Sequence, residues 1–185
     1  MKNYYLWMII TIFTSISILH IFSNKPTTIE NIVFNNILYS TSEYNTYEEE
    51  TVCVYEDMTL EELTNKLNVN LKSDLEGYGD IIADFSLKKG VDPLVATSII
   101  LEETGCTWNC SSLVKNNNNV GGMRAYSGYL KFDTLEEGIE AFISNLSNNY
   151  YQKGLNTPEL INTKYASNPN WYQKINYYIT KIRAS

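Results

Sequence analysis

Histidine is almost absent from this chain: the only one, His20, lies inside an apolar segment near the N-terminus. The rest of the sequence therefore cannot build a Ser-His-Asp triad or a Cys-His pair, because both use an imidazole as the base. A zinc peptidase is excluded as well, since it would need imidazole ligands that the chain does not have. Carboxylate-driven chemistry needs no imidazole and stays open.

Cysteine is also scarce, with Cys53, Cys106 and Cys110 as the only three. A Cys-x3-Cys spacing in a helix or turn places the two Cα atoms about 6 Å apart, which is within disulfide range. In an oxidising exterior we expect a bridge between Cys106 and Cys110. A metal site is the alternative, but two thiols without further Cys or His partners make a poor one. Cys53 has no evident partner and is either free or links two molecules.

Positive charge is in short supply, because 14 Lys and Arg face 21 Asp and Glu and leave a formal net charge of −7. Binding to nucleic acid calls for a basic face, and none is visible, so nucleic acid is not an expected partner. The hydrophobic fraction of 44% and the 15 tyrosines suit a folded core with aromatic surface grooves. The 185 residues allow one domain of ordinary size plus appendages.

Formal charge is missing between Lys2 and Lys25, where the sequence is mostly apolar. About 22 residues at ~1.5 Å each extend ~33 Å, enough for a bilayer core of ~30 Å. We therefore expect a transmembrane signal anchor in residues 1–25, which spans the membrane through residues 4–23 and leaves the following domain outside. A cleaved signal peptide is the alternative, but no Ala-x-Ala-like cleavage site follows the long apolar part.

The remainder divides into a stalk and a helical domain. Residues 26–57 carry no sustained hydrophobic period and are rich in Asn, Thr, Tyr and Glu, so we expect an extracytoplasmic stalk. From Thr59 onward, capping residues and apolar residues at helical spacing recur. Residues 58–185 are therefore predicted to form a mainly α-helical domain. A small hairpin is predicted within residues 123–132, turning at Ser127-Gly128.

One helix, predicted over residues 93–104, carries the main functional candidate. Asp92 can cap it, Pro93 suits its first turn, and Gly105 supplies the left-handed residue that ends it. Its apolar positions form one sector, and Glu103 falls near the middle of that sector: Val95, Ala96, Ile99, Ile100.

Aliphatic surroundings and the negative end of the helix dipole would both favour the protonated form of Glu103. A general acid needs this form near neutral pH. A solvated glutamate in a fraying last turn is the alternative reading.

Four motifs follow one another in a characteristic order: Glu103-Thr104-Gly105, the loop from Asn118 to Arg124, Phe132-Asp133-Thr134, and the block from Tyr165 to Asn170. Together they resemble the glucosaminidase domain of bacterial cell-wall hydrolases, a lysozyme-like family that cleaves the glycan strands of peptidoglycan. The loop matches the pattern Asn-Asn-Leu-Phe-Gly-Ile-Lys, with Val120 in place of the leucine and Gly121 in place of the aromatic residue. The resemblance covers roughly residues 75 to 183.

The resemblance implies a mainly α, lysozyme-like helical domain with a small β-hairpin lobe, here preceded by a single transmembrane helix. It further implies an endo-beta-N-acetylglucosaminidase that cleaves peptidoglycan. Together with the anchor expected from the apolar run, this predicts a single-pass protein of the bacterial cell membrane with an extracellular catalytic domain. Glu103 would be the general acid, Tyr165 would line the site, and no cofactor is implied. The lobe and its loop would contact the sugar through five residues: Asn118, Asn119, Gly121, Tyr126, Tyr129. For the asparagines, the alternative is that they only satisfy their own backbone.

A second catalytic carboxylate is missing, because no Asp or Glu lies between Glu103 and Asp133. We therefore expect the substrate's own 2-acetamido group, or a water held by Tyr165, to attack the anomeric carbon. A lytic transglycosylase or muramidase fits the same single-glutamate chemistry. A non-catalytic wall-binding module is the third hypothesis.

Overall fold

The computed structural model describes residues 52–185. The predicted anchor, residues 1–25, and the predicted stalk up to residue 51 lie outside the described residues. Within residues 52–185 no helix is both long enough and apolar enough to cross a membrane. This part of the chain is mainly helical, as predicted.

Seven α-helices and two short hairpins make up the described part of the chain. The helices are α1 (Leu60–Asn70), α2 (Gly79–Lys88), α3 (Pro93–Thr104), α4 (Ser112–Asn117), α5 (Leu135–Asn149), α6 (Pro158–Tyr165) and α7 (Trp171–Ala184). The antiparallel hairpins pair β1 (Cys53–Tyr55) with β2 (Met58–Thr59), and β3 (Arg124–Ala125) with β4 (Gly128–Tyr129). Single 3-10 turns occur at Ser73–Leu75 and Tyr151–Lys153.

Helix α3 lies at the centre of the core, packed against α2 and α7. Asp92 caps it by accepting hydrogen bonds from the backbone N–H groups of Leu94 (2.8 Å) and Val95 (3.1 Å). Gly105 ends it in the left-handed conformation, with φ 66°. Every residue from Pro93 to Leu101 is buried, so the prediction of a single apolar sector was wrong. Because α3 is buried on all sides, its sequence shows no single apolar face.

The core around α3 is built from aliphatic and aromatic residues that α1, α2, α5 and α7 turn inward. Its fully buried members include Leu63, Leu67, Ile82, Ile139, Phe142, Ile143, Leu146, Ile175 and Ile182. Thr59 caps α1 in the predicted capping box: its hydroxyl accepts from Glu62 N (3.2 Å), and Glu62 Oε2 accepts from Thr59 N (2.9 Å). Local sequence signals therefore set the ends of the helices, while burial of their apolar faces holds them together.

The β1–β2 hairpin corrects the predicted boundary of the stalk, because residues 53–57 are part of the folded unit. The hydroxyl of Tyr55 donates a 3.0 Å hydrogen bond to Asp92 Oδ1, the carboxylate that caps α3. Glu56 forms an ion pair with Arg183 on α7 at 2.8 Å. Cys53 is exposed, with a free thiol. The hairpin thus links both ends of the described chain to the central helix.

Two further helices differ from the predictions. Apolar residues at helical spacing begin at Leu75, but helix α2 begins only at Gly79, because Gly77 adopts φ 85° and interrupts the helical path. Helix α4 was missed, since six residues are too few to show a helical period. The β3–β4 hairpin matches the predicted one, although its two-residue turn is formed by Tyr126 and Ser127.

Candidate active site

Glu103 lies in the last turn of α3, which is fixed by a dense set of hydrogen bonds. The hydroxyl of Thr104 donates to Ile100 O (2.6 Å) and accepts from Cys106 N (3.2 Å). The carbonyl of Thr104 accepts from Ser111 N at 2.8 Å. A Glu-Thr-Gly sequence therefore does three things: it supplies the carboxyl group, holds the helix end, and stops the helix.

A disulfide between Cys106 and Cys110 closes the loop that follows Glu103. The two Cα atoms are 4.3 Å apart, and both side chains are buried. The loop is also joined to the segment before α2, because Lys72 N donates to Cys106 O at 2.8 Å. These contacts prevent the end of α3 from fraying and so keep Glu103 in place.

The asparagine loop opposite Glu103 is shaped by its own side chains. Asn118 adopts the left-handed conformation, with φ 51°, and its amide donates to Phe132 O at 3.0 Å. Asn119 is buried; its amide donates to Met123 O and Leu130 O and accepts from Met123 N. The side chain of Asn119 therefore holds the loop together and is turned away from solvent. Its buried position argues against the predicted direct contact with a sugar.

Three glycines allow this loop to approach the helices. A Cβ atom on Gly121 would lie 2.1 Å from the ring of Phe142, and one on Gly138 of α5 would lie 1.7 Å from Asn118 O. Both positions leave no room for a side chain. Gly122, with φ 59°, faces the catalytic candidate: a Cβ atom there would be 3.7 Å from Glu103 Oε2. The backbone of the loop therefore lies directly beside the carboxyl group of Glu103.

Glu103 itself is exposed, which corrects the prediction that it lies among aliphatic side chains. Its position in the last turn carries it beyond the buried part of α3 and to the surface next to Gly122. Its pKa is nevertheless raised, first because the surrounding protein removes water from it, and then because the Glu102 carboxylate is close. Lys174 opposes this shift. The raised pKa and the accessibility of the carboxyl group both suit a proton donor.

Glu102 and Glu103 differ in their contacts. Its carboxylate forms an ion pair with Lys174 of α7, with 2.5 Å between Oε1 and Nζ. The Glu102 side chain is only 19% exposed, whereas that of Lys174 is 59% exposed. Glu102 is therefore held in place by a cation, and Glu103 keeps its carboxyl group free.

Tyr165 is half-buried at the end of α6, between two other aromatic residues. Its ring stacks on Trp171 with 4.7 Å between centroids, and it lies tilted against Tyr150 at 5.7 Å. Burial raises the pKa of Tyr165 well above its ordinary value, and the charge of Glu103 raises it further. Tyr165 is therefore a neutral hydroxyl within the electrostatic reach of Glu103, as a residue lining the same site must be.

The two tyrosines of the hairpin lobe are both at the surface. Tyr126 is fully exposed at the turn, and Tyr129 is 46% exposed. The guanidinium group of Arg124 lies over the ring of Tyr129, 4.6 Å from its centroid, and donates to its hydroxyl at 3.3 Å. Arg124 thus holds Tyr129 in one orientation, whereas Tyr126 is available on both faces.

Four residues around the candidate site were not predicted as part of it. Gly122 lies beside Glu103, Gly138 lies beside Asn118 O, and Lys174 pairs with Glu102. Trp171 is buried and stacks on Tyr165. The contacts of Gly138 and Lys174 form only when α5 and α7 pack in the folded domain, so no local signal in the sequence identifies these two residues. The Gly-Gly pair at 121–122 was the one visible hint, since adjacent glycines often mark close backbone contact.

Residues 52–185 contain no group of three His, Cys, Asp or Glu side chains that could hold a metal ion. Asp133, the next carboxylate after Glu103 in sequence, is exposed, and its backbone N–H donates to Glu137 Oε2 at 3.1 Å. That bond places Asp133 at the start of α5, where it has a structural role.

The described part of the chain is mainly helical and presents Glu103, whose pKa is raised, beside an asparagine and glycine loop. A carboxyl group of this kind can protonate a glycosidic oxygen, which is the general-acid step of glycoside hydrolysis. Residues 79–184, more than half of the chain, match the sequence profile of the glucosaminidase family, described as mannosyl-glycoprotein endo-beta-N-acetylglucosaminidase. The chain belongs to this family, which confirms the resemblance found in its motifs. Among curated proteins, no sequence matches it.

Proposed function

We propose that this protein is a membrane-anchored peptidoglycan hydrolase that cleaves the β-1,4 glycan strand as an endo-beta-N-acetylglucosaminidase. The observation that carries the proposal is the raised pKa of Glu103 at a solvent-accessible position beside Gly122 and near Tyr165. Family membership supports a glycan substrate.

Glu103 acts in this proposal as the general acid. Its carboxyl group donates a proton to the oxygen that bridges two sugars, so that the bond from this oxygen to the anomeric carbon breaks as the leaving hydroxyl forms. Desolvation and the neighbouring Glu102 carboxylate raise the pKa of Glu103, which favours a role as proton donor. The backbone of Gly122 leaves space for the sugar next to the acid.

The anomeric carbon is attacked by the substrate's own acetamido oxygen or by a water that Tyr165 orients. Within residues 52–185, the second carboxylate next to Glu103 is Glu102, and its ion pair with Lys174 ties it to α7. Substrate assistance is a known exception to the use of two carboxylates, and it needs only one free acid. Gly121, Tyr126, Tyr129 and the Asn118–Asn119 turn would form the opposite wall of the groove.

Anchoring to a bacterial membrane is part of the proposal. It is supported by the uncharged apolar run in residues 4–23 and by a disulfide that is typical of extracytoplasmic domains. Alkaline extraction of membranes tests it: a single-pass anchor keeps the protein in the pellet, whereas a cleaved leader releases it.

The catalytic assignment is tested by two matched variants. Glu103→Gln should lower peptidoglycan cleavage about 10²- to 10⁴-fold, the usual contribution of a general acid. Glu102→Gln, one residue away, should retain activity within about tenfold of wild type at its own pH optimum. Equal losses in both variants, with both still folded by circular dichroism, would contradict the assignment.

A lytic transglycosylase or muramidase remains the second candidate, favoured by the single free carboxyl group at the site. Mass spectrometry of the new glycan ends separates the candidates. Reducing N-acetylglucosamine ends support the proposal. Anhydro-muramic ends indicate a transglycosylase, and reducing N-acetylmuramic ends indicate a muramidase. If no new ends form, the domain is a wall-binding module.

A further inference from the structure

We propose that α7 carries a further saccharide subsite, in which Tyr177 stacks on a sugar ring and Gln173 and Lys174 donate hydrogen bonds to its oxygens. The ligand is another residue of the glycan strand that Glu103 cleaves, so the inference rests on the function proposed above. It adds a binding site, on a helix that is separate from the asparagine loop and the hairpin lobe.

The subsite is an open depression of about 370 Å³ on the surface of α7. It is lined by Glu102, Gln173, Lys174, Tyr177 and Tyr178. The four α7 residues are spaced so that Gln173 and Tyr177 follow one another one turn apart, as do Lys174 and Tyr178. They therefore form one continuous strip of the helix surface.

The lining combines an aromatic face with polar groups, and both features favour the binding of a sugar. Tyr177 is 64% exposed and presents an aromatic face to solvent, and Tyr178 packs edge-on against it, with 5.5 Å between centroids. Aromatic faces suit the apolar CH side of a sugar ring, and planar polar groups suit its hydroxyls. Glu102 holds Lys174 through their ion pair, so the ammonium group is oriented before a ligand arrives.

The depression lies beside the candidate catalytic site. Glu102, which lines it, is the residue before Glu103, and Lys174 lies close enough to Glu103 to influence its charge. Along α7, Trp171 stacks on Tyr165, Lys174 follows one turn later, and Tyr177 a further turn on. Six residues of helix cover ~9 Å along the axis, so Tyr177 lies nearly two turns beyond the residue that stacks on Tyr165. Because Glu102 lines the depression and precedes Glu103, a sugar bound there would neighbour the one at Glu103.

Binding of defined oligosaccharides tests the subsite without the need for cleavage. The full-length chain carrying Glu103→Gln is titrated calorimetrically with β-1,4-linked N-acetylglucosamine oligomers of two to six residues. Adding Tyr177→Ala should weaken hexamer binding about tenfold, the scale of one aromatic contact, with a smaller loss for the dimer. Tyr177→Phe keeps the ring and should bind the hexamer within about twofold of the parent.

The outcomes separate this inference from the proposed function. If Tyr177→Ala, still folded, binds the hexamer as tightly as the parent, the subsite is overturned even where wild-type protein cleaves peptidoglycan. If wild-type protein creates no new glycan ends but hexamer binding depends on the ring of Tyr177, the subsite stands and the catalytic proposal fails. Because Tyr177 is mostly exposed, its truncation should leave the melting temperature unchanged.

Discussion

Glu102 and Glu103 are neighbours in sequence, yet their contacts give them different tasks. Glu102 is bound by Lys174 of α7, while Glu103 faces the loop at Gly122 and has a raised pKa. The charge next to Glu103 is therefore the sum of two opposing contributions, one from Glu102 and one from Lys174. At the scale of single residues, removal of water raises the pKa of Glu103 most, and this balance of charges adds a further shift.

The balance predicts pH shifts of opposite sign. Glu102→Gln removes a negative charge, so the pKa of Glu103 should fall and activity should be lost at a lower pH than in wild type. Lys174→Met removes a positive charge, so the pKa of Glu103 should rise and the alkaline limb should move to higher pH. The measurement is kcat/KM for glycan cleavage across the pH range. Shifts in the same direction would show that a different group controls the alkaline limb.

The sequence predicted the helix that carries Glu103 but not the surroundings of this residue, and the reason is physical. Caps act over a few residues, so Asp92 and Gly105 were enough to predict where α3 begins and ends. The exposure of Glu103 depends on how far the buried part of the helix extends and on where the loop around Gly122 lies. Both are set by tertiary packing, which no local pattern records.

Helix α5 and the asparagine loop meet through their backbones at Gly138. In an isolated helix, Gly→Ala stabilises by roughly 1 kcal/mol. Here the added Cβ atom would lie 1.7 Å from Asn118 O, so we expect Gly138→Ala to destabilise the protein by about 1–3 kcal/mol and to reduce activity. Urea unfolding measures the free energy.

Asn148→Ala serves as the control for Gly138→Ala. This exposed position on the same helix should change the free energy of unfolding by no more than about 0.5 kcal/mol. A stabilised Gly138→Ala would mean that the loop moves away from α5 without cost, which would contradict close packing as the reason for the glycine.

The disulfide loop after α3 gives a second prediction at the scale of elements. A closed ring of five residues restricts the unfolded chain only modestly, so replacing Cys106 and Cys110 together by alanine should cost about 2 kcal/mol. Cleavage activity should fall further than this loss of stability explains, because the loop fixes the turn that carries Glu103. Cys53→Ala is the matched control, since this thiol is exposed and unbridged. Full activity of the double variant at temperatures where it is folded would argue against this role.

The whole described domain is held at one end by the β1–β2 hairpin. Its contacts were not predicted, because strands of two or three residues are too short to show alternation. Tyr55 reaches the cap of α3, and Glu56 reaches Arg183 near the end of α7. Residues distant in sequence therefore meet at the N-terminus of the central helix.

These contacts of the β1–β2 hairpin predict where the stable domain begins. A protein that starts at Met58 lacks the hydrogen bond from Tyr55 to Asp92 and should be less stable by about 1–3 kcal/mol than one that starts at Val52. Thermal unfolding followed by circular dichroism measures the difference. Tyr55→Phe, in the longer protein, should reproduce about 1 kcal/mol of it. Identical melting temperatures for both starting points would restore the boundary predicted from the sequence.

The burial of α3 on every side has a consequence for Glu102 and Glu103. Close packing from Pro93 to Leu101 fixes the rotation of the helix about its axis. Successive residues lie about 100° apart, so the two glutamates of the last turn project in different directions. Glu102 reaches Lys174 of α7, and Glu103 reaches the loop at Gly122. Two consecutive carboxyl groups therefore have different neighbours, although no difference in their residue type separates them.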